Sequence, residues 1–158
     1  MSESVLIANR GEIAIRICRA AAELGWRSIA VQPADDGESV HGRKADSVVT
    51  LARSGPAAFL DGAGLVKTAL AAGARFVHPG YGFLSERADF AHQCGEAGLV
   101  FVGPDVRSLQ LLGDKARARE LATDCGVPVP RGIGAITEAS EARALFESLR
   151  GSPIMIKA

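Results

Sequence analysis

The sequence predicts an α/β fold built on a parallel sheet, and three observations carry the prediction. A continuous apolar run, Val5-Leu6-Ile7-Ala8, suits a strand covered on both faces. A stretch of helical periodicity and a second apolar run follow it, so the chain opens with a βαβ unit, which implies a right-handed crossover between parallel strands. Residues 77–86, VHPGYGFLSE, place glycines, two aromatic rings and a histidine at the C-terminal end of a later strand. Open α/β sheets bind their ligands at that end.

Taken in order, the first strand runs from Val5 to Ala8. The helix after it carries Ile13, Ile17, Ala21 and Leu24 on one face and Glu12, Arg16, Arg19 and Glu23 on the other. Its spacing predicts the one-turn ion pairs Glu12 with Arg16 and Arg19 with Glu23. Gly25 ends the helix, and Ser28 to Val31 is the second strand. The topology is Rossmann-like, yet the turn Asn9-Arg10-Gly11-Glu12 has one glycine where the dinucleotide fingerprint needs three, which argues against a nicotinamide cofactor. The polar residues 33–44 contain Asp35, Asp36 and His41. Among acids, His41 reads as a solvated or locally hydrogen-bonded imidazole, with a ligand role as the alternative. A third strand covers Ser47 to Leu51, a helix Ala57 to Ala71, and a fourth strand Arg75 to His78.

The loop that follows packs Pro79, Gly80 and Gly82 around Tyr81 and Phe83, so the backbone can approach a ligand while two rings are held in place. Either the rings wall a binding site or they plug the end of the sheet. Ser85, followed by Glu86, is expected to cap the next helix, Arg87 to Ala97, which stops at Gly98. Leu99 to Val102 makes the fifth strand, and Gly103-Pro104-Asp105 breaks the pattern.

Val106 to Leu112 forms a short helix, and Gly113-Asp114-Lys115 opens a longer one reaching about Cys125. Asp114 is a good N-cap, whereas Lys115 sets a cation in the first turn against the helix dipole. Either Lys115 and free backbone N–H groups serve an anion such as phosphate, or Lys115 is solvated and offset by Asp114. Residues 126–130 read as a linker or edge strand, Glu138 to Leu149 as a helix, and Pro153 to Ala158 as a strand. A strand in that place belongs to a domain that continues. The expected organisation is therefore one domain over residues 1–112 and the truncated beginning of a second over residues 113–158.

A chain of 158 residues with 47% hydrophobic content can bury one core and part of another. Lys plus Arg and Asp plus Glu both number 18, so no net field directs the chain to nucleic acid or to an anionic membrane. No apolar run reaches the roughly 18 residues of a membrane span. The early first strand leaves no room for a signal or transit peptide, which predicts a cytoplasmic protein. Cys18, Cys94 and Cys125 lack metal-ligand spacing and read as buried thiols.

Several motifs then add up. IANRGEIAIRICRA (7–20), HPGYGFLSE (78–86), FVGP (101–104), LLGDK (111–115) and PIMIKA (153–158), in that order and spacing, resemble the N-terminal part of biotin carboxylase. That component occurs in acetyl-CoA, propionyl-CoA, other acyl-CoA, pyruvate and urea carboxylases. The resemblance implies a Rossmann-like pre-ATP-grasp domain followed by the start of an ATP-grasp domain. It implies a ligase that uses ATP and bicarbonate to carboxylate biotin on a carrier domain, with Mg2+ bridging the phosphates.

Lys115 and Lys157 match lysines that contact ATP. Tyr81 would lie against the biotin ring system, the Gly82 backbone would offer it a hydrogen bond, and Glu86 would order that wall. Arg16, Arg19 and Glu23 resemble a homodimer contact, with a solvated face as the alternative. The implied partners are the biotin carboxyl carrier domain and a carboxyltransferase, in cis or in trans. Phe59 departs from a common tyrosine and Arg87 from a usual asparagine, and neither is expected to touch the chemistry. The glycine-rich lid, the metal-binding acids and the catalytic base and arginine are expected beyond Ala158, so these residues alone are expected to be inactive. The other readings are a different ATP-grasp ligase and a non-catalytic Rossmann-like assembly module.

Overall fold

The computed structural model describes residues 3–130, 132, 138–150 and 152–155. The chain divides into two compact units, residues 1–113 and 114–158. The first unit contains, in order, β1 (Ser4–Ile7), α1 (Gly11–Glu23), β2 (Arg27–Gln32), β3 (Ser47–Thr50), α2 (Gly62–Ala71), β4 (Phe76–His78), α3 (Ala88–Glu96), β5 (Val100–Phe101) and α4 (Val106–Leu112). All strand pairs are parallel and the sheet order is β3-β2-β1-β4-β5.

The apolar run of β1 is buried on both sides because alternate residues face opposite layers. Leu6 and Ala8 join Ile29, Val31 and Val77 in a core with Leu65, Phe90 and Cys94 of α2 and α3. Ile7 packs on the other side against Ala14, Ile17 and Cys18 of α1. The large side chains Phe59, Phe90, Leu6, Ile7 and Ile29 are almost completely buried, each contributing roughly 1.5–3 kcal/mol.

Several expectations are corrected. The buried stripe of α1 is Ala14, Ile17, Cys18 and Ala21, with Ile13 only partly covered and Leu24 64% exposed. Leu24 falls at the cap, where Gly25 at φ +68° turns the chain away. Neither of the ion pairs expected along α1 forms among the described residues. The helix expected over 57–71 is split into a 3-10 turn, Pro56–Leu60, and α2, because Asp61 accepts a hydrogen bond from Gly64 N at 3.0 Å and restarts the helix. Ser85 does not cap α3. Tight turns, Ser85 N to Gly82 O at 2.9 Å and Arg87 N to Leu84 O at 3.1 Å, use the 82–87 backbone and leave Arg87 at the cap position.

His41 is buried, its Nε2 lying 3.0 Å from Val31 O, so it is locally bonded and not solvated. Cys18 and Cys94 are buried and Cys125 is exposed, against the expectation of three buried thiols. Burial pushes the Cys94 thiol up to about 11.

In the second unit Asp114 caps α5 (Lys115–Asp124), and a capping box with Glu141 starts α6 (Ala139–Ser148). Residues 126–130 form no strand, nor do residues 153–155; Ile156, Lys157 and Ala158, the rest of that expected strand, lie outside the described residues.

One contact at the start of β3 makes stability pH-dependent. Ser28 donates from both N and Oγ to Asp46 Oδ2, at 2.8 and 2.7 Å, and these bonds hold the Asp46 carboxyl below the usual carboxylate range. A lowered folded value means that the contribution is full above about pH 4 and is lost as pH falls through that lowered value. Urea unfolding of Asp46→Asn should therefore show a shallower loss of stability below about pH 4 than the parent. Parallel acid limbs would remove this pair as a cause.

Candidate functional site

In the order β3-β2-β1-β4-β5 the chain leaves β1 for β2 on one side, while β4 lies on the other. The loops after β1 and β4 therefore meet at the switch point, where a parallel sheet opens a crevice. Ile7 is paired with His78, and Ala8 N donates to His78 O at 2.9 Å.

Asn9 ties the two loops together. It is 3% exposed; its Nδ2 donates to Pro79 O at 2.7 Å and to Tyr81 O at 2.8 Å, while its Oδ1 accepts from Arg10 N at 2.8 Å. Both amide protons and the acceptor are thus used, as burial of an amide requires. Gly80 fits against it because it sits at φ +67° and a Cβ there would lie 2.7 Å from Asn9 Nδ2. Gly80 N also donates to His78 Nδ1 at 3.0 Å, so the neutral imidazole carries its proton on Nε2. Burial lowers the His78 pKa and favours that neutral ring.

The two rings of the loop have different fates. Phe83, at φ +43°, turns inward and stacks on Phe59 with centroids 5.1 Å apart. The Arg10 guanidinium lies 5.8 Å from both of these ring centroids, within cation–π range. Phe59, which is not expected to touch the chemistry, is buried and backs the loop through this stack. Tyr81 is 59% exposed, and its hydroxyl donates to Glu12 Oε1 at 2.6 Å. One ring packs inward at the sheet end and the other stays exposed beside the switch point. Beside it, exposed Gly82 has no partner for its N–H among the described residues.

Glu86 is exposed and makes no ion pair or side-chain hydrogen bond among the described residues, and Arg16, Arg19 and Glu23 lie exposed along α1. Arg87 is held by Asp89 at 3.0 and 2.8 Å, an exposed pair of small energetic weight.

Lys115 is the exposed first residue of α5. The free N–H groups anticipated beside it are partly used, since Asp114 Oδ1 accepts from Ala116 N at 2.8 Å and from Arg117 N at 3.1 Å. The Lys115 ammonium and its own N–H are left for an anion. Lys157 lies outside the described residues.

The residues that sequence reasoning missed are Asn9 and Glu12 as partners of the Tyr81 loop. The available signal was a buried-strand end followed at once by an amide residue, which needs long-range partners once covered.

A groove of about 410 Å³ between the end of β3 and α2, lined in part by Leu51, Arg53, Ala58, Asp61 and Thr68, contains none of the predicted site residues. Arg53 and Asp61 pair there at 3.3 Å. Among the described residues no group of three or more His, Cys, Asp or Glu side chains gathers to hold a metal, and no helix is long and apolar enough to cross a membrane.

Comparison with known proteins places the chain among relatives of the same fold. Pyruvate carboxylase of Aspergillus terreus is 44% identical over 160 residues, covering 99% of this chain and 13% of that protein. The biotin carboxylase domain of a single-chain bacterial carboxylase superposes with a TM-score of 0.92 at 54% identity, covering 99% of this chain and 36% of that one. The biotin carboxylase domain dimer of Hydrogenobacter thermophilus 2-oxoglutarate carboxylase, solved with MgADP, ADP and bicarbonate, superposes at 0.87 with 38% identity, over 94% of this chain and 33% of that one. The chain thus spans a small part of the relatives it matches. The family model for the biotin carboxylase N-terminal domain matches residues 1–109, and the chain belongs to that family.

Proposed function

We propose that the chain is the N-terminal part of a biotin carboxylase, a ligase that uses ATP and bicarbonate to carboxylate biotin on a carrier domain. The observation that carries the reading is the meeting of the β1 and β4 loops at the switch point, where Tyr81 is exposed and the N–H of the adjacent Gly82 has no partner among the described residues. A planar ureido ring needs a flat apolar face and a hydrogen-bond donor for its carbonyl, and this pair supplies both. Glu86 stands on the same loop and would order that wall.

In this reading residues 1–112 form the pre-ATP-grasp domain and residues 113–158 open the ATP-grasp domain. Lys115 and Lys157 contact the nucleotide phosphates through their ammonium groups. The MgADP and bicarbonate bound by the Hydrogenobacter domain support ATP, Mg2+ and bicarbonate as ligands of the complete enzyme. In this reading the acids that hold the magnesium lie outside the described residues, among which no group of three or more His, Cys, Asp or Glu side chains gathers. Arg16, Arg19 and Glu23, exposed and without ion pairs among the described residues, are available to contact a second copy. A carboxyltransferase would take the carboxylate from the carrier. The free thiols Cys18, Cys94 and Cys125 accord with a reducing, cytoplasmic setting.

The test is fixation of labelled bicarbonate onto biotin by the complete polypeptide that carries this segment. The parent should fix label in an ATP-dependent manner, and Lys115→Ala and Lys157→Ala should each raise the KM for ATP by about tenfold or more, the scale of a lost charge-assisted contact. A parent that cleaves ATP yet leaves biotin unmodified would move the assignment to another ATP-grasp ligase.

A further inference from the structure

Tyr81 sits at the tip of its loop between Gly80 and Gly82, both at positive φ, and is 59% exposed. No ring contact fixes it among the described residues. Its backbone is anchored by the bond from Asn9 Nδ2 to its carbonyl, which leaves the side-chain torsions free. Among the described residues the one restraint on the ring is the bond from its hydroxyl to Glu12 Oε1 at 2.6 Å, the length of a charge-assisted O–H···O contact.

Glu12 is well placed to act as a fixed post. It lies in the first turn of α1, a 13-residue helix packed on the sheet, where a carboxylate is favoured by the helix dipole. Its expected partner Arg16 makes no ion pair with it, so the carboxylate is committed to Tyr81. The contact joins residues 69 apart in sequence, one in the first turn of α1 and the other in the loop after β4.

We propose that Glu12 is a positioning residue for biotin: by holding the Tyr81 hydroxyl it sets the angle of the ring that walls the biotin pocket. This rests on the reading above that Tyr81 meets biotin. Orienting the ring before biotin arrives removes an ordering cost from the binding step, so the effect falls on affinity for biotin. The same bond to the Glu12 carboxylate holds the Tyr81 hydroxyl pKa above the usual phenol range.

The experiment uses the complete carboxylase and free biotin, with Glu12→Ala, Glu12→Gln, Tyr81→Phe, the Glu12→Ala/Tyr81→Phe double variant and Tyr81→Ala. Glu12→Ala and Tyr81→Phe should each raise the KM for biotin by a similar factor, about three- to tenfold for one such bond, with kcat at saturating biotin kept. The double variant should be no worse than either single one, as expected when both remove the same contact. Glu12→Gln, which retains an acceptor oxygen, should recover most of the loss. If Tyr81→Ala raises the KM while Glu12→Ala and Tyr81→Phe leave it unchanged, Glu12 has no positioning role and the biotin pocket stands. Multiplied effects in the double variant would likewise overturn it. If Tyr81→Ala itself leaves the KM for biotin unchanged, the placement of biotin fails and takes the role of Glu12 with it.

Discussion

Phe59→Ala should lower the stability of the chain by about 3–5 kcal/mol, read as a shift in the midpoint of urea unfolding at constant slope. Phe59 is 0% exposed and is among the largest fully buried side chains of the first unit. Its removal deletes the transfer free energy of a whole ring and leaves a cavity beneath the Tyr81 loop. It also takes away the surface on which Phe83 stacks, and Phe83 holds a positive φ that a non-glycine residue adopts only when its surroundings enforce it. The Arg10 guanidinium loses one of its two rings as well. Phe59→Leu, which keeps much of the apolar volume, should cost less than half as much. A loss below about 1 kcal/mol for the alanine variant would mean that the ring is not packed as described.

Asn9→Ala should cost about 2–4 kcal/mol and loosen the loop that carries Tyr81. The substitution removes bonds to Pro79 O and Tyr81 O and the acceptor of Arg10 N, and it strands groups at a site where the amide is 3% exposed. A buried group left without a partner costs about 1–3 kcal/mol, more than the net gain of a typical bond. Asn9→Asp separates hydrogen bonding from shape. The carboxylate matches the amide in size but donates nothing when ionised, so it should be at least as damaging as alanine. The measurements are urea unfolding and, in the complete enzyme, the KM for biotin, which should rise in both variants. An aspartate variant as stable as the parent would show that the two bonds to the β4 loop do not hold it.

Much of the fold is legible along the chain. The apolar run at β1 announces a strand covered on both faces, and the 3.6-residue stripe locates α1 to within a residue at its start. The break at Asp61 is not legible, because residues 57–71 have helix-compatible composition throughout and only the side-chain bond to Gly64 N decides where α2 begins. The ion pairs drawn along α1 fail for a related reason. Local spacing makes Arg16 the natural partner of Glu12, and a tyrosine 69 residues away displaces it. Cys125 misleads because helical patterning alone does not say whether a helix end is covered, and the end of α5 is exposed.

The candidate site divides along the same line. Tyr81, Gly82 and Lys115 can be singled out from residue type and from the loop or helix start in which each sits, since rings among glycines and a cation at a helix start are unusual locally. Whether each ring faces inward or outward is a question of what lies behind the loop. Phe83 finds Phe59 and turns in, while Tyr81 finds Glu12 and stays out. The sequence by itself determined the elements, their alternation and the chemical character of the loop, because periodicity, capping and turn preference act between residues a few positions apart. Only the tertiary structure decided that Asn9 and Glu12 belong to the Tyr81 loop. Strand order lays β1 beside β4, and no local rule relates groups about 70 residues apart until the sheet brings their backbones together.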